Sequence, residues 1–190
     1  VDEVGIGSLC GPVVAAAVLL PPNRGAYPPV RDSKLMSPAQ RETAFIEIHQ
    51  VALAVGLGAA SVREIELLNV RRASHQAMRR ALGRIGPYDL ALVDGNPIRD
   101  AALGPHETIV DGDAISVSIA CASVVAKVVR DRLLGRLAVR YPGYGWEHNA
   151  GYGTPEHLRA LKRLGPTPYH RQSFAPVQTR LRLAASEPDQ

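Results

Sequence analysis

Eight consecutive apolar residues, VVAAAVLL at 13–20, constrain this chain more than any other feature. A run of that kind, with no polar break, reads as a strand in the core of a sheet, covered on both faces. Just upstream stand two adjacent carboxylates, Asp2 and Glu3, and then a Gly5-Ile6-Gly7 loop. Buried strands seldom tolerate charge, so these acids need a reason to be there. Adjacent residues in a regular strand point to opposite faces. For both acids to serve one site, the strand must twist or bulge as it enters the loop. Glycine permits that and lets the backbone approach a ligand closely. The plainer alternative is one buried and one exposed acid on an edge strand.

The rest of the chain reads as a strand meander followed by alternating strands and helices. Residues 1–5 and 12–20 form a hairpin-like start, and Ser37-Pro38-Ala39-Gln40 opens a helix with a capping box. Residues 51–60 read as a third strand, and Ser61-Val62-Arg63-Glu64 caps a helix running to about residue 83. YDLALVDGNP and HETIVDGDA each read as a strand and turn, residues 116–140 as a long helix, and Thr154-Pro155-Glu156 as the cap of a shorter one. The remainder reads as irregular and basic. This pattern predicts an α/β fold, a mixed sheet covered by helices on both faces.

At 190 residues the chain suits one domain with a substantial core. No apolar run approaches the roughly 20 residues of a membrane span, and 13–20 lacks the basic flank of a signal peptide. A cytoplasmic, monomeric protein is the expectation. Val1 in place of methionine predicts that natural residues precede it. The two cysteines, Cys10 and Cys121, lie in small-residue apolar segments and read as reduced core thiols.

The formal charge is +4, and its distribution matters more than its size. Arg71, Arg72, Arg79, Arg80 and Arg84 occur with no acid among them, and six further cations between residues 153 and 186 face only Glu156. Clustered cations favour a polyanionic partner, and a solvated helix face is the competing explanation.

Asp94 ends a buried strand, where ligand sites gather, although Asp-Gly is also a common turn pair. Asp131 falls within about 60° of Val117, Ala120, Val124, Leu134 and Gly135 on the long helix. An ionised carboxylate on that stripe needs a partner or a metal, and Lys127 one turn away could supply a salt bridge instead. Carboxylates without a neighbouring Cys or His pair suit hard cations such as Mg²⁺ or Mn²⁺. Two such ions form the usual clamp for displacement at phosphorus.

In order along the chain, DEVGIGSLCGPVVAAAVLL, DSK, LVDG, GD, ASVVAKVVRDR, YPGYG, GYGTPEH and HRQSFAPV resemble the bacterial ribonuclease HII family over nearly the whole length. The resemblance implies a ribonuclease H-like fold with a mixed five-stranded sheet, helices on both faces and a C-terminal helical extension. It divides the chain into a catalytic domain at 1–165 and a basic extension at 166–190 packed on it. It implies a metal-dependent endonuclease that cuts 5′ of a ribonucleotide in duplex DNA or an RNA/DNA hybrid. The products carry a 3′-hydroxyl and a 5′-phosphate, the opening step of ribonucleotide excision repair. The implied metal ligands are Asp2, Glu3, Asp94 and Asp131, holding two Mg²⁺ or Mn²⁺ ions, with Asp2 bridging.

By the same resemblance, the backbone of Gly5, Ile6 and Gly7 reads the ribose 2′-hydroxyl, and Tyr152 stacks on the following deoxyribose. Lys34 resembles a phosphate contact, with Ser33 ordering its loop, and His170-Arg171 resembles another. A sliding clamp is a partner of some relatives, but no clamp-binding peptide is evident in the final SEPDQ. Two positions depart from the family. Ile6 replaces the usual Arg or Lys between the two glycines, and Ala150 replaces a frequent Lys before the Gly-Tyr pair. Both changes remove positive charge near the substrate, which implies reduced activity. The alternative function is a nucleic-acid-binding module of the same fold with impaired catalysis. Retention of all four acids argues against it, because negative charge facing phosphates does not help a pure binder. A small-molecule phosphohydrolase would leave the basic helix and tail without a purpose.

Overall fold

The computed structural model describes residues 1–22, 30, 33–98 and 100–186. Strands β1 (Asp2–Val4), β2 (Val13–Leu19) and β3 (Ala54–Ala60) form an antiparallel meander, and β4 (Ala91–Asp94) pairs in parallel with β5 (His106–Ile109). Val1 joins the two ladders. Its nitrogen donates to Leu92 O at 2.6 Å, and Asp94 N donates to its carbonyl at 2.9 Å. Five strands therefore lie in the order β3-β2-β1-β4-β5, as the mixed-sheet expectation requires.

The helices are α1 (Pro38–Val51), α2 (Val62–Leu68), α3 (Val70–Leu82), α4 (Gly112–Ile115), α5 (Val117–Arg140), α6 (Trp146–Asn149), α7 (Pro155–Leu164) and α8 (Ala175–Ser186). None among the described residues is long and apolar enough to cross a membrane.

The unbroken apolar run of β2 follows from burial on both faces. Val13, Ala15 and Ala17 pack with Ala73, Ala77, Met78 and Ala81 of α3. Ala16 and Val18 pack with Cys121, Val124 and Val125 of α5 and Ile48 of α1. Small residues bring the layers close. A Cβ on Gly58 would overlap the carbonyl oxygen of Ala77, so α3 rests directly on the backbone of β3. Cys10 and Cys121 are buried free thiols, as their surroundings in the sequence predict.

Three boundaries differ from the sequence expectations. The third strand begins at Ala54 rather than 51, because α1 propagates to Val51 and its last turn is closed by Ala52 N bonding Ile48 O at 2.8 Å. The helix expected from 61 to 83 is two helices. Asn69 separates them at φ 69°, a left-handed value that asparagine tolerates, and its side chain caps the nitrogens of Arg71 and Arg72. The end of the chain is not irregular. Phe174, Val177 and Leu181 pack against Leu9 and Leu161, which makes α8 a helix through tertiary contact that its scattered charges conceal.

Gly58→Ala should lower the melting temperature by about 5–10 °C, from an overpacking cost of about 2–3 kcal/mol. Gly135→Ala, in a helix with open space around it, should raise stability by about 0.5–1 kcal/mol. Thermal unfolding of the two variants beside the parent checks both signs.

Candidate active site

Where β1 meets the end of β4, the sheet opens into a cleft of about 630 Å³. Three acids line it, Asp2 and Glu3 from β1 and Asp94 from the last position of β4. Arg41, Lys127, Ser33, Ser123 and Tyr152 complete its walls. Asp2 lies opposite Ala16 and Glu3 opposite Ala15 in continuous one-to-one pairing. No bulge is present in β1. The two acids occupy opposite faces of the strand, as regular geometry dictates, and the cleft wraps the strand end so that both line it.

The acids are held at an electrostatic disadvantage. Asp2 is 7% exposed, and burial lifts its carboxyl to about 6, opposed by a hydrogen bond from Ser123 and reinforced by the charge of Asp94. Burial pushes Glu3 further, up to about 8, with Asp2 and Asp94 adding to the effect. Its Oε2 is the one buried side-chain polar atom among the described residues without a hydrogen-bond partner. Asp94 is better supported, its Oδ1 accepting from Gly112 N at 2.8 Å. A buried and two half-buried carboxylates on one cleft, with an unpartnered oxygen, form an all-oxygen donor set suited to a hard divalent cation. The described side chains do not bring three such ligands into a ready-made coordination group, so the fit rests on this donor chemistry.

Asp131 is not among the residues that line this cleft. Its Oδ1 accepts from Lys127 Nζ at 2.9 Å, and Arg41 lies 3.9 Å from Oδ2. This is the salt bridge that the i, i+4 spacing anticipates. Because Lys127 and Arg41 both line the cleft, Asp131 stands behind its cationic wall.

The glycine loop is fixed from below by two arginines that are fully buried. Arg130 donates to Pro12 O at 3.0 Å, Ala150 O at 2.8 Å, Ser8 Oγ at 2.8 Å and Cys10 O at 3.0 Å. Arg171 donates to Ile6 O at 2.8 Å and to Gly11 O from both Nε and Nη2. Gly5 has φ +98°, and any Cβ there would overlap the Arg130 guanidinium. Gly7 has open space around it, and Ile6 is 38% exposed. The loop therefore faces solvent with its carbonyls tied inward.

This corrects the reading of His170 and Arg171 as open phosphate contacts. Both side chains are buried: Arg171 holds the loop, and His170 belongs to an internal hydrogen-bond chain. Burial drives His170 down to about 4, so it is neutral. Its Nδ1 accepts from Thr167 N at 2.9 Å, which leaves Nε2–H to donate to His157 Nε2 at 3.1 Å. His157 then donates from Nδ1 to the Tyr152 carbonyl at 2.9 Å and accepts from Trp146 Nε1 at 3.0 Å. The chain ends by fixing the backbone of Tyr152, whose ring lies 5.9 Å from Lys127 Nζ and 5.6 Å from the Arg130 guanidinium carbon.

Ser33 is buried with its Oγ 2.8 Å from Ser123 Oγ, and Arg41 donates to the Ser33 carbonyl, so the start of this loop is anchored to α5. The Lys34 side chain lies outside the described residues. Arg41, Lys127, Ser123 and Arg130 are the members that sequence reasoning missed as parts of the site. Only Lys127 carried a usable signal, its spacing to Asp131. The Ser33–Ser123 bond joins residues 90 apart and has no local signature.

Residues 1–177 match the family described as Ribonuclease HII. A protein of that name from Thermosynechococcus vestitus is 55% identical over 174 residues, covering 92% of this chain and 81% of the relative. The crystal structure of the ribonuclease H2 from Pyrococcus horikoshii OT3 superposes with a TM-score of 0.79 at 23% identity, covering 98% of this chain and 97% of that one. A structure of Bst-RNase HIII in complex with Mn²⁺ superposes with a TM-score of 0.74 at 17% identity, covering 98% and 69%. The two superpositions establish the fold.

Glu3 gives a stability test of the cleft. Its folded carboxyl titrates at about 8, above the ordinary value, so the neutral form is favoured by folding. Its contribution is complete below the ordinary range and is lost as pH rises through about 8. In chelator, Glu3→Gln should match the parent near pH 4.5 and exceed it by about 5–10 °C in melting temperature near pH 9. Added Mg²⁺ should narrow that gap by stabilising the parent. Melting curves across pH, with and without the ion, read both effects, and a gap independent of pH would contradict the burial of the charge.

Proposed function

The chain belongs to the ribonuclease HII family, and from that premise we propose that it cuts the phosphodiester 5′ of a ribonucleotide embedded in duplex DNA. The family activity is metal-dependent endoribonuclease action of the ribonuclease H type 2 class. The observation that carries the finer reading is the convergence of Asp2, Glu3 and Asp94 on one cleft, with Glu3 Oε2 unpartnered and two cations, Arg41 and Lys127, lining the same cleft.

In this reading Asp2, Glu3 and Asp94 hold Mg²⁺ or Mn²⁺, with Asp131 as the fourth acid behind Lys127. Bound there, two divalent ions would supply an activated water and stabilise the charge on the leaving oxygen. The protein residues do the rest. Lys127 and Arg41 draw the phosphate of a nucleic-acid strand toward the acids through charge attraction. Gly5, Ile6 and Gly7 present backbone to the minor groove, where the 2′-hydroxyl distinguishes RNA from DNA. Tyr152, its backbone pinned by His157, offers a flat face for the adjoining sugar. Arg130 and Arg171 act through the loops they hold and do not touch substrate. The substrates are duplex DNA containing ribonucleotides and RNA/DNA hybrids, and the products carry a 3′-hydroxyl and a 5′-phosphate.

The deciding experiment uses an end-labelled DNA duplex with one ribonucleotide, incubated with Mg²⁺, with Mn²⁺ or with chelator, and maps the ends produced. Cleavage on the 3′ side, or cleavage in chelator, contradicts the proposal. Asp94→Asn keeps an oxygen for the Gly112 hydrogen bond but loses the charge. It should lower the rate by roughly a hundredfold or more. Duplex affinity should hold or tighten, because a negative charge facing phosphates is gone.

Ile6 places exposed hydrocarbon where the family usually carries a cation. Ile6→Arg should raise kcat/KM by about tenfold to a hundredfold, the scale of one charge-assisted hydrogen bond to phosphate. The cut position should not move. An unchanged rate in matched low salt would show that the loop works through its backbone alone.

A further inference from the structure

The cleft does not use the basic run at 71–84, which spans α3 and the turn after it, and the structure divides its five arginines into two sets. Arg80 and Arg84 are occupied. Arg80 donates to Ala59 O at 2.6 Å and pairs with Glu64 at 2.6 Å, and Arg84 donates to Leu57 O. Both cover outward carbonyls of β3, the edge strand of the sheet, and so block pairing with another strand.

Arg71, Arg72 and Arg79 instead converge on a separate pocket of about 440 Å³, with His75, Gln76 and Asp100. Three guanidiniums face one carboxylate there. Among the described residues the cations that approach Asp100 are Arg79, at 3.4 Å, and His75, at 3.9 Å, while its other oxygen accepts from Ala102 N at 3.0 Å. Gln76 is turned away, donating to Glu64 at 3.0 Å. Arg71 and Arg72 are exposed, with no acid in the first turn of α3.

Short connections tie the pocket to Asp94 in the cleft and to the glycine loop. Asp100 follows Asp94 by six residues, a span of at most about 20 Å. On the other side Glu66, three residues before Asn69, accepts from Ser173 N at 3.1 Å, and Ser173 follows the arginine that holds the Ile6 carbonyl. A duplex advances about 3.4 Å per base pair along each strand, so the pocket lies within about six base pairs of the cleft.

We propose that Arg71, Arg72 and Arg79 form a second phosphate site that grips the backbone of the same duplex at a distance from the bond being cut. The proposal rests on the nuclease reading for its partner. Arginine suits the task because its planar donors match phosphate oxygens. A site of this kind binds without regard to sequence and acts on affinity, not on the chemical step.

The test begins with the full chain, chelator and an all-DNA duplex of about 20 base pairs, with Kd measured across a salt series. The triple variant Arg71→Gln, Arg72→Gln, Arg79→Gln should flatten the log Kd–log salt slope by about two to three. Arg84→Gln should leave the slope unchanged while lowering the melting temperature. Should the triple variant unfold, Arg72→Gln alone should flatten the slope by about one. Kinetics supply the second arm. On a long duplex with one ribonucleotide the triple variant should raise KM about tenfold with kcat within about twofold, and on one ending about three base pairs from the ribonucleotide it should match the parent. A parental slope in the arginine variants overturns the proposal, as does an equal flattening by Arg84→Gln or a deficit that persists on the short duplex. The binding arm needs no cleavage, so failure of the parent to cut would refute the nuclease reading and leave this result legible.

Discussion

Two buried guanidiniums hold this molecule's site together. Arg130 and Arg171 are withdrawn from water, and their hydrogen bonds go to carbonyls and one hydroxyl rather than to a carboxylate. Burial lowers both, Arg171 to about 10. Their carbonyl partners belong to the glycine loop, the start of β2 and the tyrosine loop, three stretches that have no regular pairing of their own. Truncating either arginine would strand several buried carbonyls at once, a loss of several kcal/mol. Lysine could not replace them, because its single ammonium cannot span acceptors fixed by a planar fork. The loop's inward carbonyls are satisfied, and its outer surface is left free for a ligand.

The cleft itself is built against folding stability. Asp2 is buried and Glu3 half-buried next to Asp94, their carboxyls shifted upward, and Glu3 keeps a buried oxygen without a partner. Across from them Lys127 and Arg41 are paired with Asp131, which keeps those cations from neutralising the cleft acids directly. Separate wells of negative and positive charge within one cavity can hold a cation and a phosphate together. A structure optimised only for stability would collapse that separation into ion pairs.

Ala150 shows how the loops share a constraint. It adopts φ 47°, a left-handed conformation that costs a non-glycine residue about 1–2 kcal/mol. Its carbonyl is held by Arg130, and its nitrogen bonds Trp146 O at 3.1 Å. Next to it Gly151 has no room for a Cβ, which would overlap Cys10 Sγ and Ser8 Oγ. The tyrosine loop is thus pressed onto the glycine loop, and the same arginine fixes both. The side chains at positions 6 and 150 can therefore differ without disturbing the backbone frame beneath them.

The sequence by itself determined the elements and much of the chemistry, because those signals are local. The capping boxes at Ser37 and Ser61, the apolar run of β2, the long α5 and the placement of Asp94 at a strand end all follow from short-range patterns. Motif resemblance added the family. Tertiary structure alone decided which charges act and which support. Arg171 and His170 resemble a phosphate contact in sequence until packing against residues more than 160 and 13 positions away encloses them. The five arginines of α3 and the turn after it look equivalent in sequence, yet two are spent on the edge carbonyls of β3 and three remain around a pocket. Asp131 lies on the predicted helix face and pairs there with Lys127, a cation of the cleft wall, rather than lining the cleft itself. The reason is common to all of them. A side chain's charge is written in the sequence, whereas its solvation and its partner are set by segments that only the folded chain brings together.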